Sequence, residues 1–88
     1  MTTKRKANKK EPGVFQVIRD GVVFELQPEP EGGYTVTVPS LPGCISYGST
    51  FEGAMEMVQD AIKGWLAVAR EEGVPIPEQF GTIRLARI

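Results

Sequence analysis

The chain has 88 residues, one cysteine, no histidine and a net charge of −1. That length fits one small domain, and the missing histidine excludes a His general base, a Ser-His-Asp triad and a Cys-His pair. One cysteine cannot hold structural zinc or close an internal disulfide, and no apolar run approaches the ~20 residues that span a bilayer.

The charge is unevenly placed. Residues 1–10 hold Lys4, Arg5, Lys6, Lys9 and Lys10 and no acid, a sum of +5; the remaining chain has five basic and eleven acidic residues, a sum of −6. Residues 1–12 show no apolar period and no apolar segment of a secretory signal, so they are expected to be a disordered basic tail. An electrostatic tether to nucleic acid is the sharper reading of that tail. Residues 13–88 are expected to form a single acidic domain, soluble and cytoplasmic, suited to a basic partner.

Residues 14–19 and 22–27 flank Asp20-Gly21. Asp-Gly between two β-rich runs signals a hairpin, because a type I′ turn needs two residues at positive φ. A two-residue turn also fixes register, pairing Arg19 with Val22, Val17 with Phe24 and Phe15 with Leu26. Those pairs give one mostly apolar face. The other face, with Gln16, Ile18, Val23 and Glu25, is mixed. Pro28, Pro30, Gly32 and Gly33 form a turn-rich break, with Glu29 and Glu31 at its tip. Residues 34–38 alternate, Tyr34, Val36 and Val38 facing one way and Thr35 and Thr37 the other. This is the third strand.

Pro39, Pro42 and Gly43 prevent regular pairing across residues 39–43. Ile45 and Tyr47 are candidates for a further short strand, and Gly43 and Gly48 are expected to supply torsions that other residues resist. Cys44 reads as a small buried side chain; a reactive thiol would need a base that this chain lacks.

The helix starts at Ser49 or Thr50. Ser49 with Glu52 fits a capping box, and Thr50 is itself a good N-cap residue. Phe51, Ala54, Met55, Val58, Ala61, Ile62, Trp65, Leu66 and Ala69 then follow 3-4 spacing, with Met57 off that stripe. Gly73 and Pro75 stop the helix after about 22 residues, or ~33 Å. Beyond it, residues 82–88 alternate around Ile83 and Leu85, with either Ala86 or Ile88 apolar, and suggest a C-terminal strand. The order is β-β-β-α-β, an α+β fold in which one long amphipathic helix packs on one face of a small antiparallel sheet.

No spacing gathers carboxylates into a catalytic or metal-binding set, and no phosphate-binding loop is present, so neither metal, cofactor nor enzymatic activity is expected.

The stretch from Gly32 to Leu66, followed by Gly73-Val74-Pro75-Ile76-Pro77-Glu78, resembles the HicB antitoxin family. The resemblance runs through Tyr34, Val38, Pro39, Leu41, Pro42, Gly43, Cys44, Gly48, Thr50, Ala54, Ala61, Pro75 and Pro77, and covers about residues 22–78. It implies a trimmed RNase H-like sheet without catalytic acids. It also implies a protein that binds a small basic HicA-type toxin, an mRNA-cleaving ribonuclease, and blocks its active surface. Many family members carry a C-terminal helix-turn-helix or ribbon-helix-helix segment. Here eleven residues follow Pro77, too few for a helix-turn-helix, so direct DNA binding is not expected from this short form. Gly53 also stands where the family usually has an acid.

Pro39, Leu41, Pro42, Gly43, Cys44, Gly48 and Thr50 are therefore expected to be structural. The candidates for partner contact are the acids Glu25, Glu29 and Glu31, with Tyr34 and Tyr47 as aromatic anchors. A homodimer or larger assembly is expected, since one helix cannot cover both faces of a sheet. The alternative is a stand-alone structural or regulatory oligomeric domain with no toxin; a residual carboxylate nuclease is a third reading.

Overall fold

The computed structural model describes residues 13–80. The expected basic tail and the expected strand over residues 82–88 lie outside them. Four strands precede one helix: β1 Phe15–Arg19, β2 Val22–Pro28, β3 Tyr34–Thr37, β4 Ile45–Gly48 and α1 Phe51–Glu72. The strands form one antiparallel meander in chain order. The architecture is α+β, with the helix on one face. The short strand suggested around Ile45 and Tyr47 is the fourth strand of the sheet.

The first hairpin follows its turn residues. Asp20 (φ 52°) and Gly21 (φ 78°) both sit in the left-handed region, and the register pairs Arg19 with Val22, Val17 with Phe24 and Phe15 with Leu26. Asp tolerates that region better than most residues, and Gly without strain. Alternation then sends Val22, Phe24 and Leu26 of β2 and Val36 of β3 to the helix side, where all are buried.

Between β3 and β4 the chain makes two tight turns. Leu41 N donates to Val38 O (2.9 Å) and Cys44 N to Leu41 O (3.0 Å), while Val38 N donates to Cys44 O (3.1 Å). Gly43 takes φ 84°, the left-handed torsion expected of it. Leu41 turns inward and is fully buried. Trp65 Nε1 donates to Pro42 O (2.9 Å), so the helix clamps this corner from above.

Gly48 corrects the sequence reading. It does not lie at positive φ. A Cβ there would land on the backbone nitrogen of Ala54, so glycine is required because β4 crosses the start of α1 with no room for a side chain. The N-cap is Thr50 rather than Ser49: its side chain accepts from Gly53 N (2.9 Å). At the other end Gly73 (φ 75°) donates back to Ala69 O and Arg70 O, closing the helix after 22 residues. The buried stripe is Ala54, Met55, Val58, Ile62, Leu66 and Ala69.

The helix lies over β3 and β4. The half of the sheet formed by β1 and β2 needs another cover, and the segment after the helix supplies it. Phe80 is fully buried and Ile76 packs against the same core, while Gln79 approaches the Asp20-Gly21 turn. The sequence assigned no element between Pro75 and residue 82 and gave Phe80 no role.

Removing the Phe80 ring should leave a cavity under β1 and β2. Phe80→Ala is expected to destabilise the domain by about 3–5 kcal/mol, read as a lower urea midpoint. Gly48→Ala is expected to do at least comparable damage, because the obstacle is backbone; circular dichroism of the purified variant checks whether it folds at all.

Candidate partner-binding face

The sheet has two unlike sides. The side under the helix is apolar. The open side carries Gln16 and Ile18 of β1, Val23, Glu25 and Gln27 of β2, Thr35 and Thr37 of β3, and Ile45 and Tyr47 of β4, as pairing and alternation dictate. Ile18, Ile45 and Tyr47 are 68%, 55% and 51% exposed. Ile18 lies on one outer strand and Ile45 and Tyr47 on the other, with Glu25 between them on β2.

Four of the five proposed contact residues lie on this side or at its end. Glu25 stands opposite Thr37 in the middle of the face. Glu29 is held at the β2–β3 tip by Thr35 Oγ1, which donates to Glu29 Oε2 (2.6 Å). Tyr47 pairs with Thr35 across β3 and β4, and its hydroxyl donates to Gly32 O (2.9 Å). Glu31 is exposed on the same tip. Glu29, Thr35, Gly32 and Tyr47 thus form one fixed cluster. Gly33 (φ 87°) permits it, since a Cβ there would strike the Tyr47 hydroxyl.

Tyr34 is placed apart from the others. It is half-buried on the helix side, edge-on to Phe15 (6.2 Å) and Phe51 (6.2 Å), and Arg19 lies over the Phe51 ring at 6.0 Å. Its ring closes the end of the core near the helix N-terminus. Thr35, Gly32 and Ile45 were not singled out from the sequence. The signal for Thr35 was present, because strand register alone sets it beside Tyr47; that for Gly32 was not, because only folding brings its carbonyl under a residue fifteen positions away.

The charge of the described residues is one-sided. Ten acids stand against three cations, Arg19, Lys63 and Arg70, and none of those cations is on the open face. Among the described residues no three acids or thiols gather as metal ligands, and no helix is long and apolar enough to cross a membrane. Cys44 is buried under the corner, and its burial raises the thiol pKa above the ordinary value, the reverse of what a nucleophile needs.

A family profile described as the HicB_like antitoxin of bacterial toxin-antitoxin system matches residues 22–85. The chain is 37% identical over 54 residues to a UPF0150 protein of Synechocystis sp., covering 61% of this chain and 68% of that protein. It is 38% identical over 58 residues to antitoxin HicB 1 of Photorhabdus laumondii, covering 64% of this chain and 37% of that antitoxin. It is 34% identical over 47 residues to a UPF0150 protein of Thermoplasma acidophilum, covering 53% of this chain and 68% of that protein. The chain therefore spans little more than a third of the length of the HicB 1 antitoxin. No solved structure gives a significant match.

Two outcomes test this description. Tyr47→Phe loses one exposed hydrogen bond and should destabilise the fold by about 1 kcal/mol or less, whereas Gly33→Ala must displace the ring and should destabilise more; thermal melts of both rank them. The buried thiol keeps its proton to higher pH in the folded state than in the unfolded chain. Stability should therefore fall as pH rises past the ordinary thiol pKa, and Cys44→Ala should remove that part of the slope in urea midpoints taken from neutral to alkaline pH.

Proposed function

The chain belongs to the HicB-like antitoxin family, and from that premise we propose that it binds a small, basic HicA-type toxin in the cytoplasm and occludes its mRNA-cleaving face. The observation that carries this reading is the open face of the sheet, where exposed apolar side chains stand beside Glu25 and Glu29, with no cation among them. Such a face offers apolar contact area and an acidic field to a basic nuclease. Like-charge repulsion from an acidic body would keep RNA away, so the same surface excludes the toxin's substrate.

In this reading Glu29, Glu31 and Glu25 steer and orient the toxin, and Tyr47 is the anchor, its ring already fixed by the bond to Gly32. A side chain that is ordered before binding loses little entropy when the partner arrives. Tyr34 acts from beneath, holding β3 and the helix start together through Phe15 and Phe51. The protein is not an enzyme and uses no cofactor; it acts as a homodimer or larger assembly by covering a surface.

The first experiment is recovery of the tagged chain from its own cells, with mass spectrometry of what accompanies it. A stoichiometric small basic protein whose RNA cleavage is suppressed by the chain is the expected result. Recovery of the chain alone would favour a stand-alone oligomeric domain. With the toxin in hand, the Glu29→Lys, Glu31→Lys double variant should weaken binding by about tenfold or more, chiefly through slower, less salt-sensitive association. Unchanged affinity would remove the hairpin acids from the interface.

A further inference from the structure

The open face of the sheet has no cover among the described residues, and the basic end of the chain joins the domain at its rim. Gly13 stands beside Pro28; a Cβ there would lie 3.7 Å from the Pro28 ring. Pro28 closes β2, and Glu29 follows it directly. Residues 1–12 therefore join the domain next to the hairpin tip that carries Glu29 and Glu31. Glu25 stands further along β2 on the same face, opposite Thr37.

The two sides of that rim differ in charge. Residues 1–12 hold Lys4, Arg5, Lys6, Lys9 and Lys10 against a single acid, Glu11. On the open side they meet carboxylates and none of the three described cations. On the helix side Glu52 and Glu56 are exposed as well, but the approach is different. Phe15, two residues on from Gly13, stacks on Phe51 (6.3 Å), and Arg19 lies over that same Phe51 ring at 6.0 Å. A basic segment turning that way meets a like charge first. Reach does not limit the other course: twelve extended residues span about 40 Å, and four strands make a face about 15 Å across.

We propose that residues 1–12 dock in cis across the open face of the sheet, their cations against Glu31, Glu29 and Glu25, and that a basic partner must displace them to bind. Exposed ion pairs are individually weak and screened by salt. Attachment at Gly13 offsets that weakness, because it holds the cations near the face at a millimolar effective concentration. The same attachment favours the internal contact over RNA, the competing use of these lysines. Between Thr2 and Pro12 there is no large aliphatic or aromatic residue, so the segment has nothing to match Ile45 or Tyr47. A partner that supplies both positive charge and apolar contact displaces it; a partner with charge alone does not. The segment thus acts as a built-in competitor that sharpens selection by the face.

The proposal rests on the antitoxin reading for its use, but the contact itself is tested without a toxin. The full chain is compared by amide NMR with a variant carrying Lys4→Gln, Arg5→Gln, Lys6→Gln, Lys9→Gln and Lys10→Gln. Resonances of Glu25, Glu29, Glu31, Thr35 and Tyr47 should differ between the two at about 50 mM salt and coincide by about 0.5 M. In a Glu29→Gln, Glu31→Gln background the tail substitutions should no longer move Thr35 and Tyr47; in a Glu52→Gln, Glu56→Gln background they should still do so. With the toxin in hand, neutralising the tail should tighten binding by about fivefold at low salt, because the face is then no longer occupied, and should change nothing at high salt. Spectra that coincide at low salt, differences that survive high salt, or differences confined to residues 52–60 would each overturn the proposal. So would tail resonances that move only when an oligouridine is added, or a toxin affinity that neutralisation leaves unchanged. Salt-dependent differences on the open face of a chain that binds no toxin would overturn the antitoxin reading and leave the tail contact standing.

Discussion

The close crossing of β4 and the first turn of α1 is the constraint on which the rest depends. Gly48 lies against the Ala54 backbone with no space for a Cβ, and two residues later the Thr50 side chain caps the helix by accepting from Gly53 N. Strand and helix are thus locked at a fixed separation and angle within six residues. The helix then has one course available, back over β3 and β4, where its apolar stripe meets Val36 and Val38. Further on, Trp65 reaches Pro42 O and pins the other end of the corner. Moving the helix away to admit a side chain at Gly48 would open both contacts together.

A helix held over β3 and β4 leaves the β1–β2 half of the core uncovered, and Phe80 and Ile76 fill that gap. The core is therefore built from three pieces far apart in sequence: hairpin, helix and the segment after it. Buried apolar side chains of this size each contribute about 1.5–3 kcal/mol relative to exposure. In a chain this small, a single ring such as Phe80 is a large share of a stability of about 5–15 kcal/mol.

Packing all of this cover on one side frees the other for contact. The open face keeps Ile18, Ile45 and Tyr47 in solvent together with Glu25 and Glu29, and the Thr35 and Gly32 hydrogen bonds fix its acidic end. Apolar area and negative charge on one rigid sheet fit a protein whose task is to hold another protein.

Much of this was legible in the sequence, because it depends on neighbours along the chain. Asp20-Gly21 set the first hairpin and its register, since two consecutive positive-φ residues admit one tight turn. Apolar spacing and Gly73 set the helix length, and alternation assigned Val36 and Val38 to the core and Thr35 and Thr37 to the other side. The absence of histidine excludes most nucleophilic chemistry from the sequence alone. Other features depend on which distant segments meet, and only the tertiary structure decided them. The reason for Gly48 is a backbone from the next element; Phe80 is core because the helix covers half a sheet. Alternation already set Tyr34 on the side of Val36 and Val38, but Tyr47 stands on the opposite, open face because the β3–β4 register pairs it with Thr35, and which side of a sheet stays open is decided by where the helix lies.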